Sequence, residues 1–280
     1  MIDPITAPLV DPDEFPNWII FENENLLVLN KPGWLVCHPS KNGPYSSLVG
    51  AAKSYLGVDS IHLASRLDRE TSGVVLLAKH RTAASLWQKG IEQKKVRRTY
   101  LAVMKGNLIK NRVISTYLGK DSESPVFVKQ RVVPRSNKSK WAVTIFDPLS
   151  NRNGYTLCGI RTETGRKHQI RVHAQSIGHE LVGEKLYGSD ENYYLRFCKE
   201  GWRPEWVEEL GMSRQALHAR FLGFPSEGPG FRAEPAGDMI EFIRTQMGIC
   251  LEELYSMIEK MDLFDSAIED KEKGCDERPE

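Results

Sequence analysis

The sequence predicts a soluble globular protein that combines α-helices with β-strands. Its 280 residues are 40% hydrophobic and 27% charged, an ordinary composition for a chain that buries a sizeable core. Short apolar runs bounded by Gly, Pro or Asn predict strands, and segments with helical spacing of apolar residues predict helices. The chain has no run of about 18 apolar residues and no secretory signal at its acidic N-terminus. We therefore expect a cytoplasmic protein without a membrane span.

Strands are predicted in six apolar or alternating runs, namely 18–21, 26–29, 74–79, 100–103, 141–146 and 155–160. The last two are predicted to pair antiparallel, because an Asn-Gly turn at 153–154 lies just before the second run. Between these strands, residues 107–139 predict hairpins and a basic loop.

Two helices are predicted in the first part of the chain. The first covers 47–56, with Ser47 as its N-cap and Gly57 as its stop. The second covers 82–95, with Thr82 as a candidate N-cap.

A third helix is predicted to open at the Thr-Gly turn of 164–165. Helical spacing would then place Arg166, Ile170 and His173 near one face, with Arg171 on the adjoining face. A helix start so rich in cations suits a phosphate or a carboxylate. On this pattern alone, the segment is an anion-binding helix of unknown purpose.

A polar turn with one carboxylate precedes the apolar run at 74–79. Its Asp68 is flanked by Arg66 and Arg69, and nearby positive charge favours the ionised form of an aspartate. Such a carboxylate can act as a nucleophile or base. It can equally hold a loop together through salt bridges and turn hydrogen bonds.

The basic residues are concentrated in the middle of the chain. Residues 79–171 contain 21 Lys or Arg and 5 Asp or Glu, whereas residues 238–280 contain 5 and 13. A basic body is expected of a protein that binds a polyanion, although a solvated lysine-rich surface gives the same count. The five cysteines are scattered and the seven histidines lack metal-ligand spacing, so we expect free thiols and no metal site.

Several segments, in this order, resemble the motifs of the RluA-type RNA pseudouridine synthases. They are Asn30-Lys31-Pro32 with His38-Pro39, Arg66–Gly73, the basic segment that ends at Tyr100, Gly165–His173, and Leu217–Pro225. The resemblance covers about residues 18–235. It implies an α+β fold, with a mixed, mostly antiparallel sheet, flanking helices and a central catalytic cleft.

The resemblance also implies the domain boundaries. A catalytic domain at 18–237 follows an N-terminal arm at 1–17. Residues 238–262 lie outside the resemblance and predict a helical extension with a break at Gly248, and the acidic residues 263–280 predict a disordered tail.

The family's motifs imply roles for individual residues. Asp68 would be the nucleophile, which either attacks the ribose C1′ or promotes departure of the base in another way. Arg171 would hold its carboxylate, Ile170 would wall the pocket, and Tyr100 would stack on the uracil and accept its C5 proton. Without the resemblance, Tyr100 is an ordinary strand aromatic at a sheet edge.

Three further residues are expected to bind the substrate. Arg66 would fill the space that the extruded nucleotide leaves, and Arg166 and His168 belong to the segment Gly165–His173. The partner implied is RNA, either ribosomal or transfer RNA with a stem-loop target, bound by a monomer. Because only about 17 residues precede the first predicted strand, we expect RNA affinity to come from the catalytic domain. The isomerisation needs no redox change, so neither a cofactor nor a metal is expected.

The sequence departs from the family pattern at a few positions. Ser65 replaces a common histidine, Glu184-Lys185 stands where Asp-Pro is usual, and the segment after Phe224 lacks His-Pro. Two alternatives remain open: a catalytically silent RNA-binding protein on the same fold, and a nucleoside or glycosidic hydrolase. The latter usually uses two working carboxylates.

Overall fold

A computed structural model describes residues 9–38, 43–224 and 228–267. Residues 1–8 of the predicted arm, Pro39, Pro225 and residues 268–280 of the predicted tail lie outside this part. Within it, one large sheet is built from the strands β1 Ile19–Glu22, β2 Leu26–Lys31, β3 His62–Leu63, β4 Ser72–Ala78, β5 Arg97–Lys105, β6 Arg112–Lys120, β7 Gln130–Val133, β8 Lys140–Arg152, β9 Tyr155–Thr162, β10 Leu217–Gly223 and β11 Gly230–Arg232.

The sheet is mixed and mostly antiparallel. Its spatial order is β1-β2-β4-β10-β5-β9-β8-β6-β7, with β3 on β4 and β11 on β10. Among the described strands, β4 and β10 form the one parallel pair, in the register Ser72–His218 and Gly73–Ala219. The late strand β10 therefore lies between β4, which follows the Asp68 turn, and β5, which carries Tyr100.

The helices flank the sheet. They are α1 Leu48–Leu56, α2 Arg81–Glu92, α3 Gln169–Ser176, α4 Asn192–Glu200, α5 Val207–Leu210, α6 Gly237–Gln246 and α7 Leu251–Ala267. Helix α1 packs on one face of β2 and β4, and α2 packs on the other face of the same strands. Helix α3 covers one face of β5 and β9, and α6 with α7 covers the opposite face.

Strand β5 illustrates why the two faces differ. Leu101 and Val103 pack against α6 and α7, whereas Tyr100 and Ala102 belong to the cluster beneath α3. Successive side chains of a strand point to opposite faces, so this alternating sequence gives one strand two buried surfaces. The C-terminal helices are thus part of the core.

Most of the predicted elements are present, with shifts at their ends. Helix α1 has the predicted N-cap, since the Ser47 hydroxyl accepts a hydrogen bond from the Gly50 amide, and Gly57 ends it in the left-handed region. The predicted cap of α2 is wrong: His80, not Thr82, precedes the helix and accepts from the Ala83 amide.

The described part of the predicted N-terminal arm, residues 9–17, contains a turn of helix. Residues Phe15–Trp18 form a 3-10 helix, and Phe15 is 1% exposed. The C-terminal extension breaks around Gly248, as its sequence predicts, and α7 runs to Ala267, past residue 262.

Candidate active site

The turn that carries Asp68 is followed at once by the central strand β4. The backbone carbonyl of Asp68 accepts a hydrogen bond from the Thr71 amide at 3.2 Å, which closes the turn. Gly73 then adopts a φ of +110°, and a Cβ there would overlap the carbonyl oxygen of Ala219 on β10. Glycine is therefore required for the close parallel pairing that fixes the turn at the mouth of the sheet.

Arg171 on α3 meets Asp68 across the site. Its Nη1 donates to Asp68 Oδ2 at 3.0 Å, although the two residues lie 103 positions apart. On its other side, Arg171 donates through Nε and Nη2 to the two carboxylate oxygens of Glu184, both at 2.7 Å. Such a bidentate pair fixes the orientation of a guanidinium. Arg171 is consequently aimed at Asp68 by a buried partner.

Glu184 also accepts hydrogen bonds from the backbone. Its Oε1 accepts from the amides of Leu186 and Tyr187 at 2.9 and 3.3 Å. Burial alone raises the pKa of Glu184, but Arg171 and these amides lower it below the ordinary value. Glu184 is therefore an ionised anchor.

Asp68 is ionised at neutral pH. Burial by itself raises its pKa, whereas His168 and Arg171 lower it, and the net effect is a pKa below the ordinary value. Burial also lowers the pKa of His168 to about 4, so this ring is neutral at pH 7. Arg171 consequently supplies the permanent positive charge that favours the carboxylate.

His168 occupies the position just before α3 with a φ of +54°, in the left-handed region. Its Nε2 lies 3.9 Å from Asp68 Oδ2, and its Nδ1 is hydrogen-bonded to the Tyr187 hydroxyl at 2.7 Å. That hydroxyl also accepts from the Gln130 amide at 2.9 Å. The imidazole is thus held in a fixed orientation beside the carboxylate.

A cavity of about 390 Å³ opens in front of this pair. All seven residues singled out from the sequence line it, namely Arg66, Asp68, Tyr100, Arg166, His168, Ile170 and Arg171. Among the described lining residues, Asp68 is the only carboxylate. The volume falls within the roughly 300–1,000 Å³ typical of small-molecule sites.

Tyr100 and Arg98 come from the same face of β5. Both line the cavity, because residues two apart on a strand point the same way. Burial raises the pKa of the Tyr100 phenol, so the phenol is protonated at neutral pH. Arg98 packs against Gly165, and its Nε is buried without a hydrogen-bond partner among the described residues.

Residues 25–176 match the profile of the RNA pseudouridylate synthase family. The chain belongs to this family. It is 38% identical over 216 residues to an uncharacterized RNA pseudouridine synthase of Mycoplasma pneumoniae, a match that covers 77% of this chain and 64% of that protein. It is 31% identical over 241 residues to ribosomal large subunit pseudouridine synthase D of Zymomonas mobilis, covering 82% and 72%.

The fold of the family is also found in solved structures. Human RNA pseudouridylate synthase domain containing 4 superposes with a TM-score of 0.64 at 24% identity, over 83% of this chain and 94% of that chain. The chain spans less than two thirds of the length of the Mycoplasma pneumoniae relative.

One geometric prediction for the pseudouridine synthase motif Gly165–His173 is wrong. Helix α3 begins at Gln169, since His168 is left-handed, so Arg166 precedes the helix and shares no helical face with Ile170. Arg166 donates from Nε to the Trp141 carbonyl at 2.8 Å and still reaches the cavity.

Two residues at or beside this cavity were not predicted from the sequence. Arg98 could have been found from its position two residues before Tyr100 on a predicted strand. Glu184 stands where the family usually has an aspartate, which is a signal for an acidic side chain at this position. Its pairing with Arg171 could not be predicted, because that pairing depends on the path of the loop after α3.

In the described part of the chain, no three His, Cys, Asp or Glu side chains are grouped as metal ligands. None of its helices is long and apolar enough to cross a membrane.

Proposed function

We propose that this chain isomerises uridine to pseudouridine within structured RNA. One observation carries the proposal: Asp68, the one carboxylate among the described residues that line the cavity, is paired with Arg171. The membership of the chain in the pseudouridylate synthase family supports the same reaction. RNA is the proposed partner, and the basic residues of the cavity suit its phosphates.

The reaction breaks the N1–C1′ bond of uridine and forms a C5–C1′ bond. N1 gains a proton and C5 loses one, so the atoms balance without any exchange of electrons. Asp68 initiates departure of the uracil, either by attack on C1′ or otherwise. Tyr100 stacks on the detached base and exchanges one proton for another: its phenol gives its proton to N1, and the resulting phenolate oxygen accepts the proton from C5. Ile170 closes the pocket beside it. No cofactor and no metal are part of the proposed reaction.

The target nucleotide must leave its stack to enter the cavity. Arg66 is exposed at the cavity mouth, where it can occupy the space that the nucleotide vacates. Extrusion costs a few kcal/mol in a duplex and less in a loop, which favours a stem-loop target. Arg166 and His168 complete the substrate-binding wall.

Glycoside hydrolysis is the less suitable chemistry for this cavity. It usually needs a second working carboxylate facing the scissile bond. Glu184, the other carboxylate bound to Arg171, has a side chain that is 1% exposed, does not line the cavity, and is held by Arg171 and two backbone amides.

Ribosomal RNA is the first substrate class to test, because the Zymomonas mobilis relative is named for the large ribosomal subunit. Transfer RNA is the second. We propose that the protein acts as a monomer in the cytoplasm. The basic segment 79–171 supplies nonspecific affinity, so the dissociation constant should rise steeply with added salt.

The test uses Asp68→Asn and RNA labelled with tritium at uracil C5. We expect the wild-type chain to release tritium and form pseudouridine, whereas the variant forms no product and binds RNA with unchanged affinity in fluorescence anisotropy. A variant that turns over at the wild-type rate would refute the assignment. Release of free uracil would identify a hydrolase, and RNA binding by an inactive wild-type chain would identify a silent RNA-binding protein.

Mapping pseudouridines in cells that lack the protein would then name the target.

A further inference from the structure

Lys185 has a buried ammonium group next to the turn at residues 68–71, here called the catalytic turn because it carries Asp68. The residue is 2% exposed. Its Nζ donates to Glu70 Oε2 at 2.9 Å and to the Ser213 carbonyl at 2.6 Å. Three aromatic rings lie around the same nitrogen, those of Trp34, Phe197 and Trp202 at 5.0, 5.3 and 5.2 Å from the ring centroids. A buried cation is tolerated when it has such partners, so Lys185 is held firmly.

Glu70 belongs to the turn that Asp68 begins. Besides Lys185, its Oε2 accepts from the Gln215 amide at 3.1 Å, and its backbone carbonyl accepts from Arg214 Nη1 at 3.0 Å. The Gln215 side chain also donates to the Thr71 hydroxyl at 2.6 Å. The turn is therefore tied to residues 213–215, just before β10, and to the loop after α3.

Two adjacent residues of that loop hold the two partners of the central ion pair. Glu184 binds Arg171 through two hydrogen bonds, and Lys185 binds the turn of Asp68 through Glu70. One dipeptide thus sets the relative position of the guanidinium and the carboxylate. A shift of the loop would change both ends of the Asp68–Arg171 hydrogen bond.

We propose that Lys185 and Glu70 are positioning residues that hold Asp68 against Arg171 by tying the catalytic turn to the loop after α3. The expected loss of rate rests on the proposed function. The expected change in the Asp68–Arg171 contact rests on geometry alone. Neither side chain lines the cavity, so each acts through Asp68. Misplacement of a reacting group by about 1 Å can lower a rate about 100-fold.

The kinetic test compares single-turnover rates and RNA affinity. Lys185→Met and Glu70→Gln should each lower the rate about 10- to 100-fold and change the dissociation constant for RNA less than about twofold, because the RNA-facing groups are untouched. The double variant should be no slower than the slower single variant, since the two residues form one unit. Lys185→Arg, which keeps the charge, should recover part of the rate.

A matched control separates positioning from general stability. Asp262→Asn removes a partly buried carboxylate that pairs with Arg220 at 3.0 Å, on α7 and outside the cavity. It should lower the melting temperature without changing the rate of the folded protein. Wild-type rates in Lys185→Met, or a loss of rate matched by an equal loss of RNA affinity, would overturn the proposal.

A second measurement does not depend on turnover. The pKa of the Asp68 carboxyl group, followed by carbon-13 NMR, should rise by about one unit in Lys185→Met as Arg171 loses contact with it. An unchanged value would overturn the proposal even if the wild-type chain made no pseudouridine. Should Lys185→Met fail to fold, the same titration of Glu70→Gln and Lys185→Arg decides.

Discussion

Arg171 donates only one hydrogen bond to Asp68, from Nη1 to Oδ2 at 3.0 Å. The other carboxylate oxygen, Oδ1, makes no hydrogen bond to a described residue and belongs to a side chain that is 28% exposed toward the cavity. The arrangement keeps the carboxylate charged and leaves one oxygen for a substrate. A bidentate pair between the two residues would have occupied both oxygens.

Replacing Arg171 should separate charge from alignment. Arg171→Met should raise the pKa of Asp68, because burial then acts unopposed by the guanidinium, and should abolish turnover. Arg171→Lys should restore a low pKa but little of the rate, since a lysine cannot reproduce the fork that Glu184 holds. NMR titration of Asp68 and single-turnover kinetics check the two effects. Full activity in Arg171→Lys would show that charge alone is sufficient.

Arg171→Met should also destabilise the fold, because it leaves Glu184 charged, buried and without its main partner. Loss of one member of a buried pair costs about 3–5 kcal/mol of unfolding free energy. Adding Glu184→Gln should recover part of this loss in urea unfolding. A double variant no more stable than Arg171→Met would contradict the proposed cause.

The proposed reaction gives the ring and the hydroxyl of Tyr100 different roles. Tyr100→Ala should weaken binding of an extruded uracil by about 1–3 kcal/mol, the contribution of an aromatic face to base stacking. Tyr100→Phe should keep that affinity and lose rate, because the phenyl ring cannot accept the C5 proton. Binding of stem-loop RNA and release of C5 tritium measure the two quantities. Equal affinity in Tyr100→Ala and wild type would exclude stacking.

Three histidines should make the fold sensitive to mild acid. Burial lowers the pKa of His168, His173 and His218 to about 4, whereas an unfolded histidine titrates near 6.5. The unfolded chain therefore takes up protons first, and the stabilising effect of the neutral rings is lost as the pH falls from about 6.5 to 4. Each ring should remove roughly 1 kcal/mol of unfolding free energy per pH unit in that window.

Urea unfolding at pH 7 and pH 5 measures this loss. His173→Gln should flatten the pH dependence, because one titrating ring is gone. Thr116→Val is the matched control: it removes a hydroxyl that pairs with His173 at 3.0 Å but keeps the ring. It should lower stability and leave the pH dependence in place. A wild-type slope in His173→Gln would show that the ring does not titrate as its burial implies.

Gly73 should not tolerate a side chain. Gly73→Ala would force a φ of +110° on alanine and press its Cβ into the backbone of Ala219. A cost above about 4 kcal/mol is expected, seen as a low soluble yield or a much lower melting temperature. Gly57→Ala shares a positive φ but has open space around it, so it should cost only about 1–2 kcal/mol.

The local parts of the fold could be predicted from sequence, because their signals are local. Ser47 and Gly57 mark both ends of α1, and alternation around Tyr100 marks β5. The place of β10 between β4 and β5 could not be read from periodicity. It depends on a parallel pairing between segments almost 150 residues apart, for which no neighbouring turn exists.

The site follows the same division. The resemblance to family motifs predicted seven site residues, and all seven line one cavity. The predicted start of α3 is too early because His168 has a positive φ. Histidine is enriched at positive φ but mostly lies elsewhere, so its presence alone does not predict such a turn. The aromatic partners of Lys185 could not be predicted either, because Trp34 lies after β2 whereas Phe197 and Trp202 lie on α4 and just after it.

The central place of β10 has a consequence during synthesis. The strand after the Asp68 turn, β4, and the strand that carries Tyr100, β5, pair with opposite edges of β10. During translation, the Asp68 turn and the Tyr100 segment leave the ribosome long before β10 does. A nascent chain that ends before residue 217 would therefore carry Asp68, Tyr100 and Arg171 but lack the strand that lies between β4 and β5, and its cleft could not close.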